Sequence, residues 1–103
     1  MFNFFNKKNN LDLYELLNIE NVQIIDVRTE NEFNNGHISN SINIPVNEVP
    51  NLVDKFKEMP KPIILCCASG ARSGMATEYL TKFGVEEVYN GGSWKDVELQ
   101  LIK

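Results

Sequence analysis

Two short and almost wholly apolar runs constrain this chain most: Val22 to Val27 (VQIIDV) and Ile63 to Cys67 (IILCC). Both have strand length and lack the polar alternation of a strand with one face in water, so each suits a strand buried on both faces. Such strands need covering layers, and the segments between them have helical character. Asn10 followed by Leu11, Leu13, Tyr14, Leu16 and Leu17 reads as a capped amphipathic helix. Glu30 to Asn35 has helical composition and stops at Gly36. Val49, Leu52, Val53 and Phe56 repeat at helical spacing before Pro60 and Pro62. Met75, Ala76, Tyr79, Leu80 and Phe83 do so up to Gly84, and Trp94, Val97 and Leu101 suggest a last helix. Ile42 to Ile44 and Glu87 to Tyr89 read as further short strands, with Gly91-Gly92 as a turn. Strands alternating with helices predict an α/β domain, its mostly parallel sheet covered on both faces.

Length and composition fit this reading. At 103 residues, 43% hydrophobic and 23% charged, the expected organisation is one domain over 1–103, with 1–10 as an N-terminal extension. Ten basic residues against fourteen acidic give a net charge of −4, a poor basis for binding a polyanion, so no nucleic-acid partner is expected. The apolar run in Met1 to Lys8 is too short for a signal peptide, and no stretch approaches the roughly 20 residues of a membrane span. The cysteines, Cys66 and Cys67, are adjacent, which disfavours a disulfide between them. With one histidine and no CxxC pair, no metal site is expected. Two free thiols suit a reducing compartment, so the expected location is the cytoplasm.

The chemistry is expected around Cys67. It ends a buried strand and precedes a helix, where partial positive charge and unpaired amides favour an anion. The loop Ala68, Ser69, Gly70 and Ala71 is small enough for successive amides to converge on one point, and Arg72 adds a forked cation. Only the thiolate of cysteine attacks, so these features favour a nucleophilic thiol. Cys66, following Ile63-Ile64-Leu65, is expected to face the core as a small hydrophobe, a resolving thiol being the alternative.

The blocks Ile25-Asp26-Val27-Arg28, Glu32-Phe33, Gly36-His37-Ile38 and Asn43-Ile44-Pro45 resemble the N-terminal signature of the rhodanese family. Cys67 to Ser73 (CASGARS) resembles that family's active-site loop, and Gly91-Gly92 with Trp94 its C-terminal signature. The resemblance runs in the family's order from about Val22 to Trp94. It implies a rhodanese-like three-layer domain whose central, mostly parallel five-stranded sheet is flanked by helices on both faces.

It also implies a sulfurtransferase without cofactor. Cys67 would take a sulfane sulfur from thiosulfate or a persulfide, hold it as a persulfide, and pass it to a thiol or cyanide. Ala68, Ser69, Gly70, Ala71, Arg72 and Ser73 would bind the substrate through their amides and the Arg72 cation. Asp26 and Arg28 would hold the neighbouring loops. The expected partners are a small donor and acceptor or a persulfide-carrying protein, and the chain would act as a monomer. His37 falls in a block that forms a structural turn. Trp94 would cover the pocket or pack the last helix, although it stands closer to Gly92 than is usual in the family. Two other readings stay open, a regulatory binding module and a phosphatase or arsenate-reductase-like enzyme. The four residues between Cys67 and Arg72 match the sulfur-transferring members better than the phosphatase-like ones. With Arg72 its sole charged side chain, the loop is expected to use the thiosulfate dianion weakly, at high KM.

Overall fold

The computed structural model describes residues 11–103. Asn10, the expected helix cap, and Phe2, Phe4 and Phe5 of the N-terminal extension lie outside them. The first helix, α1 (Leu13–Leu17), is capped by Asp12, whose carboxylate accepts from the Glu15 amide at 2.9 Å. The Glu15 side chain accepts from the Asp12 amide at 3.0 Å in return. This reciprocal capping box needs Glu or Gln three residues after the cap, a partner that Asp12 has.

The remaining elements alternate. They are β1 (Gln23–Asp26), α2 (Glu30–Asn34), β2 (Ile42–Asn43), a 3-10 turn (Val46–Leu52) leading into α3 (Val53–Glu58), β3 (Ile63–Cys67), α4 (Ala71–Lys82), β4 (Val88–Ser93) and α5 (Trp94–Leu101). One continuous helix was expected across Val49 to Phe56. Pro50 lies inside its first part and cannot donate to an α-helical ladder, so that part winds as tighter 3-10 turns.

Among the described residues the sheet has four strands, not five, all parallel in the order β2-β1-β3-β4. Four segments of strand character are legible in the sequence; the fifth strand came from the family resemblance alone. The chain builds outward from β1 to β2, then returns to place β3 on the other side. The order therefore reverses between β1 and β3, and in such sheets the working crevice lies at the carboxyl ends of the strands around that reversal. Asp26 and Cys67 stand at those ends.

The pleat divides the core into two layers. Ile25, Val27, Ile63, Leu65, Cys67 and Val88 face the 3-10 turn, α3 and α4, packing with Val49, Phe56, Ala76 and Leu80. Ile24, Ile64 and Cys66 face α1 and α5, packing with Leu16, Leu17, Ile38 and Val97. Every residue of β3 is buried, as its uninterrupted apolar sequence requires.

The last strand departs from expectation. Glu87 takes a left-handed conformation (φ 53°) ahead of the strand, and Gly91-Gly92 belong to β4 instead of forming a turn. Leu65 pairs with Asn90 but Cys66 with Gly92, so Gly91 is the extra residue of a bulge. A side chain there would meet Ile64 Cγ2 at 2.8 Å and Val97 Cγ2 at 2.9 Å. Only glycine fits between sheet and helix at that point.

Candidate active site

The loop after β3 curls around the sulfur of Cys67. The Gly70 amide donates to Sγ at 3.0 Å, and the Ser73 amide lies at 3.4 Å with its hydroxyl also at 3.4 Å. The Ser69 amide also favours the charged sulfur. Gly70 makes this curl possible, since it occupies the left-handed region (φ 99°) as N-cap of α4, where a side chain would be strained and would crowd the Gly92 backbone. Burial alone would push the Cys67 thiol up. The Ser73 side chain and the amides of Ser73, Gly70 and Ser69 outweigh it, bringing the thiol down to about 7. A substantial fraction of Cys67 is thus thiolate at neutral pH, although the residue is 0% exposed.

The six expected loop residues do different things. Ser69, Gly70 and Ser73 serve the sulfur directly. Ala68 and Ala71 are exposed, and the Ala71 amide meets the Ser69 hydroxyl at 3.4 Å. Arg72 does not present a free fork. Its Nη1 and Nη2 donate to the two carboxylate oxygens of Glu32, at 2.8 and 3.1 Å. The forked cation expected of Arg72 is paired here with a carboxylate that faces it from α2.

Asp26 and Arg28 form a buried ion pair, with Arg28 Nε and Nη2 donating to the Asp26 carboxylate at 2.7–3.0 Å. Arg28 Nη2 also donates to the Gly36 carbonyl at 2.7 Å, and its guanidinium lies 4.7 Å from the centre of the Trp94 ring. Asp26 pairs with Cys66 in the sheet, so it points to the Cys66 face, away from the sulfur of Cys67. The pair ties the Gly36 turn to Trp94, which packs with the Cys66 layer. His37 is stacked on Phe33 at 3.6 Å, its Nδ1 2.7 Å from the Phe33 carbonyl, as suits a structural turn.

Cys66 has the opposite environment. It is also 0% exposed, packed with the apolar side chains of the second layer and beside the Asp26–Arg28 pair, and no donor among the described residues is aimed at its sulfur. Burial, reinforced by the charge of Asp26, pushes its thiol up to about 12. The two sulfurs point to opposite faces of the sheet, so a resolving partnership has no geometric support.

Sequence reasoning missed Asn90. Its Oδ1 accepts from the Ser73 hydroxyl at 2.7 Å and the Gly92 amide at 2.9 Å, and its Nδ2 donates to the Gly70 carbonyl at 3.1 Å. Asn90 thereby fixes two residues that donate to Cys67. The only signal for it was a polar residue just before Gly91-Gly92, and that pattern also fits an ordinary turn. Among the described residues, no group of three or more His, Cys, Asp or Glu is placed to hold a metal, and no helix is long and apolar enough to cross a membrane.

Comparison with known proteins agrees with this architecture. The family model for the rhodanese-like domain matches residues 9–98. The uncharacterized protein YqhL of Bacillus subtilis is 41% identical over 68 residues, covering 66% of this chain but only 53% of that protein. The match thus spans about half of that relative's length. Thiosulfate sulfurtransferase GlpE of Shewanella oneidensis is 32% identical over 78 residues, covering 76% of each chain. Among solved structures, a rhodanese with anions from Escherichia coli superposes with a TM-score of 0.66 at 32% identity, over 73% of this chain and 89% of that one. With the blocks in order, the sheet in place and a cysteine in the cradle, the chain belongs to the rhodanese-like domain family.

Proposed function

We propose that this protein is a sulfurtransferase that carries a sulfane sulfur on Cys67. The observation that carries the reading is the Cys67 sulfur itself, met by the Gly70 amide at 3.0 Å and the Ser73 amide at 3.4 Å, donors that favour its thiolate. The same donors suit an anionic persulfide, as an oxyanion hole suits oxygen. The name of the similar Shewanella protein, a thiosulfate sulfurtransferase, supports the same class of reaction.

The first half-reaction begins when the Cys67 thiolate attacks the outer sulfur of the donor. A new S–S bond forms from the thiolate's electron pair, and the donor's own S–S bond breaks with its pair, leaving as sulfite or a thiolate. In the second, cyanide or an acceptor thiolate attacks the outer sulfur of the persulfide, and the Cys67 thiolate is regenerated. Two half-reactions through a covalent intermediate predict ping-pong kinetics. The donor is a small molecule or a persulfide-carrying protein, the chain works as a monomer, and two free thiols fit the reducing cytoplasm.

The test is intact mass after incubation with excess thiosulfate or a persulfide donor, beside Cys67→Ser. A gain of about 32 Da, one sulfur atom held covalently, is expected in the parent protein, reversed by cyanide and absent from the variant. No gain from either donor would move the assignment to a non-catalytic binding module.

A further inference from the structure

Arg72 is the one charged side chain between Cys67 and Ser73, and its donor face is already occupied. Its two terminal nitrogens, Nη1 and Nη2, meet the carboxylate of Glu32, at 2.8 and 3.1 Å. This is the bidentate geometry that arginine otherwise offers to an oxyanion such as a sulfonate or phosphate. Glu32 comes from α2, 40 residues away in sequence, and is itself anchored. Its Oε1 accepts from the Thr29 amide at 3.0 Å and hydroxyl at 3.1 Å, in a capping box at the start of that helix. The two side chains are 33% and 36% exposed, so an anion arriving from solvent would have to compete with Glu32 for Arg72.

Charge separates the two donor classes. Thiosulfate attacked by a thiolate brings three negative charges into one transition state. An anionic persulfide brings two, and its protonated form, R–S–S–H, brings only the one on Cys67. In that step the thiolate pair forms the new S–S bond, the old S–S pair leaves on R–S⁻, and the proton stays with the transferred sulfur. With Arg72 neutralised, the dianion meets only amide and hydroxyl dipoles, and the chain's net charge of −4 repels it further.

We propose that Glu32 is a specificity-determining residue: by holding the Arg72 fork it disfavours dianionic donors and leaves the site to persulfides of low charge. This inference rests on the sulfur-transfer reading above.

Glu32→Gln tests it. The glutamine oxygen can still accept from Thr29 and from Arg72 Nη1, but the negative charge is gone and the amide nitrogen cannot accept from Nη2. The KM for thiosulfate should fall about three- to fivefold, the scale of one partly exposed charge pair, with the KM for cysteine persulfide unchanged. Adding Arg72→Gln should erase the gain. Glu32→Ala, which gives up the capping contact as well, is the second variant, with a shift in the same direction expected.

An unchanged or raised thiosulfate KM in the folded variants overturns the proposal. So does a gain that survives in the double variant, because the effect would then not run through Arg72. If the parent protein turns over neither donor, the sulfur-transfer reading fails on its own. The masking is then read from protection of Cys67 against iodoacetamide by thiosulfate acting as a plain anion. Protection of Glu32→Gln at a lower thiosulfate concentration upholds it, and protection at the same concentration overturns it.

Discussion

Cys66 and Cys67 are the same side chain on consecutive residues of one strand, and both are 0% exposed. The pleat turns Cys66 toward Leu16, Leu17, Ile38 and Val97, and brings Cys67 under a loop of amide donors. One thiol is pushed up to about 12 and the other brought down to about 7. Neither presents surface, but Cys66 is the more deeply packed and lies beside the Asp26 charge, both of which push its thiol up. What brings Cys67 down is that donors are aimed at its sulfur, and that depends on the loop that follows the strand.

The sharpest way to break this comparison is alkylation across pH. At pH 7 the ionised fractions of the two thiols should differ by about five powers of ten, so iodoacetamide should label Cys67 and leave Cys66 untouched. The labelling rate should climb as pH rises through about 7, where the thiolate replaces the thiol, and level off above it. Peptide mapping that finds Cys66 labelled at a comparable rate would sink the comparison.

A smaller effect separates the two residues by stability. Cys66→Ser buries a hydroxyl in a layer packed by Leu16, Leu17, Ile38 and Val97, which should cost about 1–3 kcal/mol in denaturant unfolding. Sulfur loading should survive in that variant. A folded Cys66→Ser that cannot be loaded would mean that the two thiols are assigned the wrong way round.

The finest test alters a single donor. Ser73→Ala removes the hydroxyl 3.4 Å from the Cys67 sulfur but keeps the amide, and should raise the midpoint of the labelling profile by about one unit. Since the Ser73 hydroxyl also donates to Asn90 at 2.7 Å, an unmoved midpoint would show that its proton belongs to Asn90 and that the backbone alone sets the thiol.

Much of this was legible in the chain. The apolar runs located β1 and β3, and a small-residue loop between strand and helix identified Cys67 over Cys66. The parts that were not legible depend on contacts between distant residues. Glu32 and Arg72 lie 40 positions apart, and no local pattern says that a helix-capping glutamate will reach an arginine on another element. Asn90 acts through a one-residue bulge, which depends on how β4 pairs with β3 and not on the composition of β4. The first helix shows the limit at short range. Asn10 and Asp12 are both good cap residues, and the position of Glu15 favours Asp12.

The complete burial of Cys67 bears on timing. A sulfur that presents no surface can be touched only in a fluctuation that uncovers it, whatever the reagent. The observed rate is then the reactivity of the uncovered form multiplied by the fraction of time the sulfur is uncovered. That factor slows every reagent equally, peroxide and other oxidants included. A donor that binds the uncovered form can prolong it, whereas a small oxidant with no affinity for that form cannot. The cover over Cys67 thus governs how often its sulfur is met, while the donors beneath it govern how reactive it is when met.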